Sequence, residues 1–208
     1  MKKMLLGNLK RGLLFVISAP AGTGKTTLAR MLVEEFPCVV QSVSFTTRMP
    51  REGEISGVHY NFLIKREFEK RIDKNDFLEH AQIYGDYYGT SADWVEQKCA
   101  EGKHVILVID TQGALQVREK CAATLIFIMP PSLDELRQRL MMRKTETSNV
   151  IEKRLEWSRH ELEAGKAYDF TIVNDELGVA YQVLRSILIS EEHRNIGIKT
   201  KVYKENYG

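Results

Sequence analysis

Residues 13–37 read Leu-Leu-Phe-Val-Ile-Ser-Ala-Pro-Ala-Gly-Thr-Gly-Lys-Thr-Thr-Leu-Ala-Arg-Met-Leu-Val-Glu-Glu-Phe-Pro, and this stretch decides the fold. The run Leu13 to Ile17 is unbroken, apolar and rich in β-formers, as expected of a parallel strand covered on both faces. A glycine-containing turn follows. From Lys25 the apolar residues Leu28, Leu32 and Phe36 recur on one helical stripe, which Pro37 stops. Between strand and helix, Ala19-Pro20-Ala21-Gly22-Thr23-Gly24-Lys25-Thr26 matches G-x-x-x-x-G-K-[ST] at every defined position but the first. Gly22 and Gly24 let the backbone turn its N–H groups inward around phosphates, and the helix beginning at Lys25 points its positive end there. Lys25 supplies a cation for the terminal phosphates, Thr26 a hydroxyl for Mg²⁺, and Thr27 completes the candidate loop. Ala19 in place of glycine needs only a φ that a strand end supplies.

The same alternation returns downstream. His104 to Ile109, Thr124 to Met129 and Phe170 to Val173 read as further buried strands. Asp134 to Arg143, Val150 to Ala164 and Leu177 to Ile189 read as helices. Alternating strands and helices predict an α/β fold, a parallel sheet with helices on both faces. Val105 to Ile109 ends in Asp110, an acid at a strand end. Asp110 is therefore a candidate for the metal's water shell beside Thr26, and equally a candidate N-cap for the residues that follow.

The chain has 208 residues, with 30 Lys plus Arg against 28 Asp plus Glu. A single domain is expected, and a net charge of +2 gives no reason to expect a nucleic-acid binder. Three scattered cysteines, Cys38, Cys99 and Cys121, suggest neither a disulfide framework nor a zinc site, so a reduced, cytoplasmic setting is expected. The five histidines show no ligand spacing. Lys10 and Arg11 interrupt the N-terminal apolar stretch, which argues against an export signal. No run approaches the length of a membrane span. The sequence does not decide between a monomer and a homodimer. The basic tail from Arg194 is expected to be a loosely ordered, solvated end.

Residues 39–90 break the rhythm with short pieces, Ser42 to Phe45, Val58 to Leu63 and Phe77 to Ile83, separated by glycines. They read as an inserted region of mixed strands. Within it Arg48 and Arg51 flank Pro50, and two guanidinium forks suit a dianionic phosphate monoester. Tyr60, Tyr87 and Tyr88 offer hydroxyls that complete such a cradle.

The motifs S-x-S-x-T-T-R-x-P-R-x-G-E from Ser42, G-x-x-Y-x-F from Gly57, F-L-E-x-A from Phe77, Y-Y-G-T from Tyr87 and I-D-x-Q-G from Ile109 together resemble the guanylate kinase family. Pro130-Pro131-Ser132, Arg143 to Thr147, Lys153-Arg154-Leu155 and Val173-Asn174-Asp175 continue the likeness in order and spacing over residues 13–190. The resemblance implies a P-loop NTPase three-layer fold with a mixed α/β GMP-binding insertion and a helical lid. The boundaries it implies are a core of 11–38, 91–136 and 165–190, an insertion of 39–90, a lid of 137–164 and a tail of 191–208. It further implies γ-phosphoryl transfer from ATP to GMP with Mg²⁺. By that likeness Arg48, Arg51, Tyr60 and Tyr88 grip the GMP phosphate, Glu79, Ser44 and Thr90 read the base, and Asp110 belongs to the substrate site. Lys25, Arg139, Arg143 and Arg154 are the implied catalytic cations. Arg139 and Arg143 are four apart and so share a helix face.

Guanine presents two donors, N1–H and the N2 amine, which one carboxylate accepts together. Adenine offers that carboxylate a lone pair and a bare C–H. No general base is needed, because a GMP phosphate oxygen is already anionic. Val108 and Lys144 depart from the family, which usually carries an acid and a glycine there. With Val108, Asp110 is left as the one carboxylate on that face of the strand. Two rivals remain: a non-catalytic family module that binds phosphorylated peptides, against which Gly24-Lys25-Thr26 and the lid arginines argue, and a P-loop kinase of another acceptor, against which Glu79 and Thr90 argue.

Overall fold

The computed structural model describes residues 4–83, 85–142 and 148–194. The opening apolar run forms β1 (Leu14–Ser18), buried throughout, and α1 (Lys25–Glu35) follows the loop. Then come β2 (Val39–Gln41), β3 (Phe45–Thr46), β4 (Asn61–Phe62), α2 (Lys65–Asp73), β5 (Phe77–Ile83) and β6 (Asp86–Ser91). The chain continues through α3 (Ala92–Ala100), β7 (His104–Val108), α4 (Thr111–Lys120), β8 (Thr124–Met129) and α5 (Leu133–Met142). It ends with α6 (Ser148–Gly165), β9 (Phe170–Val173) and α7 (Leu177–Glu192).

Five strands form a parallel sheet in the order β2-β7-β1-β8-β9. Alternate residues of β1 face opposite ways, and the two cores follow from that. Phe15 and Ile17 pack with Leu28 and Leu32 of α1 and with Ala180, Leu184 and Leu188 of α7. Leu14 and Val16 pack with Val95 of α3 and with Ala114 and Val117 of α4. Helices thus cover both faces, as the continuous apolar strands require. From β1 the chain builds outward to one side and then crosses to the other. The carboxyl ends of the central strands therefore border the crevice in which ligands of such sheets bind.

The second sheet runs β4-β3-β6-β5, with β3 and β4 parallel and the β3–β6 and β5–β6 pairs antiparallel. It closes over Phe68 of α2, which is fully buried and stacks on Phe77 and Tyr87. Helix α2 escapes the sequence reading because Phe68 is its one buried residue among charged neighbours. The pieces Ser42 to Phe45 and Val58 to Leu63 shrink to the two-residue strands β3 and β4. Val39 to Gln41 pairs with β7 in the main sheet, so the inserted region starts after Gln41 rather than at 39.

A clasp closes the sheet's far end. Glu192, at the end of α7, accepts hydrogen bonds from Gly7 N (2.6 Å) and His104 Nε2 (2.6 Å) on one oxygen. Its other oxygen accepts from Asn8 N (2.8 Å) and Asn8 Nδ2 (2.7 Å). Leu13 N donates to His104 Nδ1 (3.0 Å), which fixes the imidazole tautomer with its proton on Nε2. Burial by itself would raise the Glu192 carboxyl, but these donors outweigh it and hold the group below its usual value of 4.5. The clasp's contribution is therefore present above that value and is lost as the pH falls through the folded-state one. Both oxygens are saturated by donors, so Glu192→Gln turns an amide N–H against N–H groups whichever way it faces. We expect a loss of about 3 kcal/mol, read as a fall of about 6–12 °C in Tm. An unchanged Tm would show the clasp to be incidental.

Candidate active site

Gly22 and Gly24 adopt φ of +93° and +88°, as the inward-turning loop demands. Thr23 is fully buried and hydrogen bonds back to Pro20 O through Oγ1 (2.8 Å). Its own carbonyl accepts from Asn174 Nδ2 (2.6 Å). Gly24 caps α1 without a side-chain hydrogen bond of its own, and the first amides of a helix are where an anion would sit. Lys25 Nζ donates to Ala19 O (3.2 Å). Thr26 is exposed and Thr27 half-buried in the first turn of α1.

A cavity runs from this loop to the second sheet. Ala19, Ala21, Lys25, Val108 and Asp110 line it from the core, and Ser44, Arg51, Tyr60, Glu79 and Tyr88 from the inserted sheet. Arg154, Trp157 and Glu161 of α6 close it from the lid side. Ten of the residues named from sequence thus come to one cavity, Ala19 and Ala21 of the loop among them.

Asp110 is the N-cap of α4, one of the two functions considered for it. Its Oδ1 accepts from Gly113 N (2.8 Å), capping α4. Its Oδ2 is shielded from solvent and has no hydrogen-bond partner among the described residues. Burial raises this carboxyl, while the α4 amides and Lys25 act to lower it. An orphaned acidic oxygen beside the loop, with the Thr26 hydroxyl in the first turn of α1, is a donor set that suits a hard cation such as Mg²⁺.

At the other end Glu79 is 2% exposed and lies across the β5–β6 ladder from Thr90. Thr90 Oγ1 donates to its Oε1 (2.5 Å). Burial pushes Glu79 up to about 7 against that hydrogen bond and Lys120. Its Oε2 lies over Gly113, where an added Cβ would stand 2.3 Å away. Gly113→Ala should therefore displace the carboxylate. We expect affinity for the nucleotide that the resemblance places against Glu79 to fall about 10–100-fold, the equivalent of the 1–3 kcal/mol typical of overpacking, with affinity for the one at the phosphate loop unchanged. Equal effects on both nucleotides would contradict this placement.

Arg51 lines the cavity; Arg48 does not. The Arg48 guanidinium is held by Glu54 (2.8 and 3.0 Å) and by Met49 O (2.8 Å), 5.3 Å from the centre of the Tyr60 ring. Glu54 also accepts from Arg51 N (2.7 Å), so one carboxylate organises both arginines. Thr90 stands behind Glu79, outside the cavity wall. Arg139 is also outside it, engaged by Glu135 (2.9 Å) and Asn174 O (2.9 Å). Because Asn174 also holds Thr23, Arg139 braces the lid's first helix against the phosphate loop instead of reaching into the cavity. Arg143 and Lys144 lie outside the described residues.

The sequence reading passed over Trp157 and Glu161. Helical spacing was the available signal: they lie three and seven residues beyond Arg154, on the same face of α6. Burial pushes Glu161 up to about 7, with Lys25 and Arg154 opposing and Asp110 adding to the rise.

A phosphate loop at the carboxyl edge of a parallel sheet, facing a second sheet that carries an arginine, tyrosines and a buried acid, defines a P-loop phosphotransferase acting on a small acceptor. Comparison with known proteins sharpens the class. A family model described as Guanylate kinase matches residues 11–191, and the chain belongs to the guanylate kinase family. It is 59% identical over 192 residues to the guanylate kinase of Protochlamydia amoebophila (strain UWE25), covering 92% of this chain and 98% of that one. Likeness to the guanylate kinase of Chlamydia felis (strain Fe/C-56) is 50% over 88% of this chain and 90% of the relative. The crystal structure of guanylate kinase from Anaplasma phagocytophilum superposes with a TM-score of 0.78 at 31% identity, over 98% of each chain. No helix among the described residues is long and apolar enough to cross a membrane.

Proposed function

We propose that the cavity transfers the γ-phosphoryl group of ATP to GMP, giving ADP and GDP. The observation that carries this reading is a single cavity lined by Lys25 and Asp110 of the core together with Arg51, Tyr60, Glu79 and Tyr88 of the inserted region. The loop residues Ala19 to Thr27 hold the ATP phosphates through backbone amides and Lys25. Thr26 and Asp110 hold Mg²⁺, which when bound neutralises charge on the β- and γ-phosphates. Arg51, Tyr60 and Tyr88 hold the GMP phosphate, and Arg48, steered by Glu54, reinforces them.

Glu79 accepts N1–H and N2–H of guanine, with Thr90 fixing its carboxylate and Ser44 contributing a hydroxyl. Arg154 stabilises the transferring group from the lid, with Arg143 as a second lid cation; Arg139 serves as the brace. Work of this kind is positioning and charge neutralisation along an in-line path. A cytoplasmic role in recycling GMP within purine metabolism accords with three unpaired cysteines among the described residues.

ADP release measured with ATP against GMP, dGMP, AMP, UMP and TMP tests the acceptor. Turnover with GMP is expected, and turnover with AMP, UMP or TMP alone would refute the assignment.

A further inference from the structure

Glu161 is the one cavity-lining carboxylate that the division of labour above leaves without a task. It is 8% exposed and stands two helical turns after Arg154 on the cavity face of α6. It lines the same cavity as Lys25 of the phosphate loop, Arg154 of its own helix and Asp110 at the head of α4, and the two cations oppose the rise that burial gives its carboxyl. Glu79 is engaged with Thr90, and Asp110 spends one oxygen on the α4 cap. Glu161 is thus the lid-side carboxyl group that shares the cavity with the two cations the proposed transfer step uses.

We infer that Glu161 is a positioning residue, a lid-borne carboxylate that holds Lys25 of the phosphate loop and Arg154 of α6 at their stations as the lid seats over the nucleotides. The inference rests on the kinase reading above. In a poorly solvated cavity a long lysine and a long arginine have many alternative rotamers, and each displaced geometry costs rate steeply. A misplacement of about 1 Å costs about 10²-fold. A carboxylate between them narrows those alternatives without touching substrate. Because it is negative, it also weakens the ground-state attraction of the site for triphosphate. Removing it therefore has opposite consequences for binding and for turnover.

Steady-state kinetics of Glu161→Gln in the full chain provide the test. The expected result is a fall in kcat of about 10²-fold, with KM for ATP unchanged or lower, KM for GMP unchanged and Tm unchanged. On an Arg154→Met background the same substitution should cost clearly less than it does alone, because only the positioning of Lys25 is then left to lose. Glu161→Asp, which keeps the charge, should recover most of kcat. Near-normal kcat in Glu161→Gln overturns the inference, as do losses that multiply with those of Arg154→Met. So does an Asp variant as slow as the Gln variant, or a common rise in both KM values with a lowered Tm, the mark of a packing role. Near-normal turnover in Arg154→Met itself would instead unseat the role assigned to that arginine under the kinase reading.

Discussion

Lys25→Ala is expected to abolish phosphoryl transfer, lowering kcat by at least about 10³-fold, and to leave GMP affinity within about threefold of wild type. Lys25 is the charged side chain that the phosphate loop itself contributes to the cavity, and it acts to lower the Asp110 carboxyl. In this structure its ammonium folds onto Ala19 O, a bond easily exchanged for one to phosphate. Loop shape does not depend on it. Thr23, Pro20 and Asn174 hold that turn independently, so the variant should fold and its deficit should lie in catalysis. Equilibrium titration with GMP beside single-turnover transfer separates the two. Near-normal turnover would remove the loop from the mechanism.

The second large effect belongs to Glu79. Glu79→Gln replaces an acceptor oxygen with an N–H donor facing guanine's own donors. We expect a loss of 10²-fold or more in kcat/KM for GMP, toward the roughly 10⁴–10⁵ that polar mispairing in a built site reaches, with ATP binding intact. Equal losses for both nucleotides would refute the role.

The carboxyl stands at about 7 in the empty site, and its sign fixes a pH dependence. Below about 7 the empty site keeps its proton, whereas guanine's two donors require the anion. Binding must then release a proton, and affinity should fall as the pH drops below 7. Calorimetry at pH 6 in buffers of different ionisation enthalpy reads that proton directly. The Gln variant should release none at this site, which separates Glu79 from the titrating GMP phosphate.

The sequence was most legible where local signals agreed. The run from Leu13 to Pro37 combined a buried strand, a glycine turn and a periodic helix, and the core strands named from it recur nearly unchanged in β1, β7, β8 and β9. Short elements were less legible. Val39 to Gln41 has too few residues to show a period, and its membership of the main sheet comes from pairing with β7 alone. Helix α2 carries a single buried aromatic, so its position depends on the sheet that receives Phe68. Among site residues, those in ordered motifs could be named in advance. Arg48 and Arg139 were named in advance, but not the partners that hold them in this structure, Glu54 and the Asn174 carbonyl, which spacing does not reveal. Glu161 needed a three-dimensional lid to become visible.

The clasp on Glu192 bears on what counts as the folding unit. The family match ends at residue 191 and begins at residue 11, so it excludes the carboxylate and the Gly7 and Asn8 amides that saturate it. His104, in contrast, lies inside the match, in a central-sheet strand with no exposed surface. A protein trimmed to the shared region would keep the buried imidazole and discard its acceptor. It would keep every catalytic group while surrendering a fastening between its first and last segments. Gly7, Asn8 and Glu192 would then fasten the fold from outside the shared region, so the unit that unfolds together is expected to reach beyond the borders of the family match.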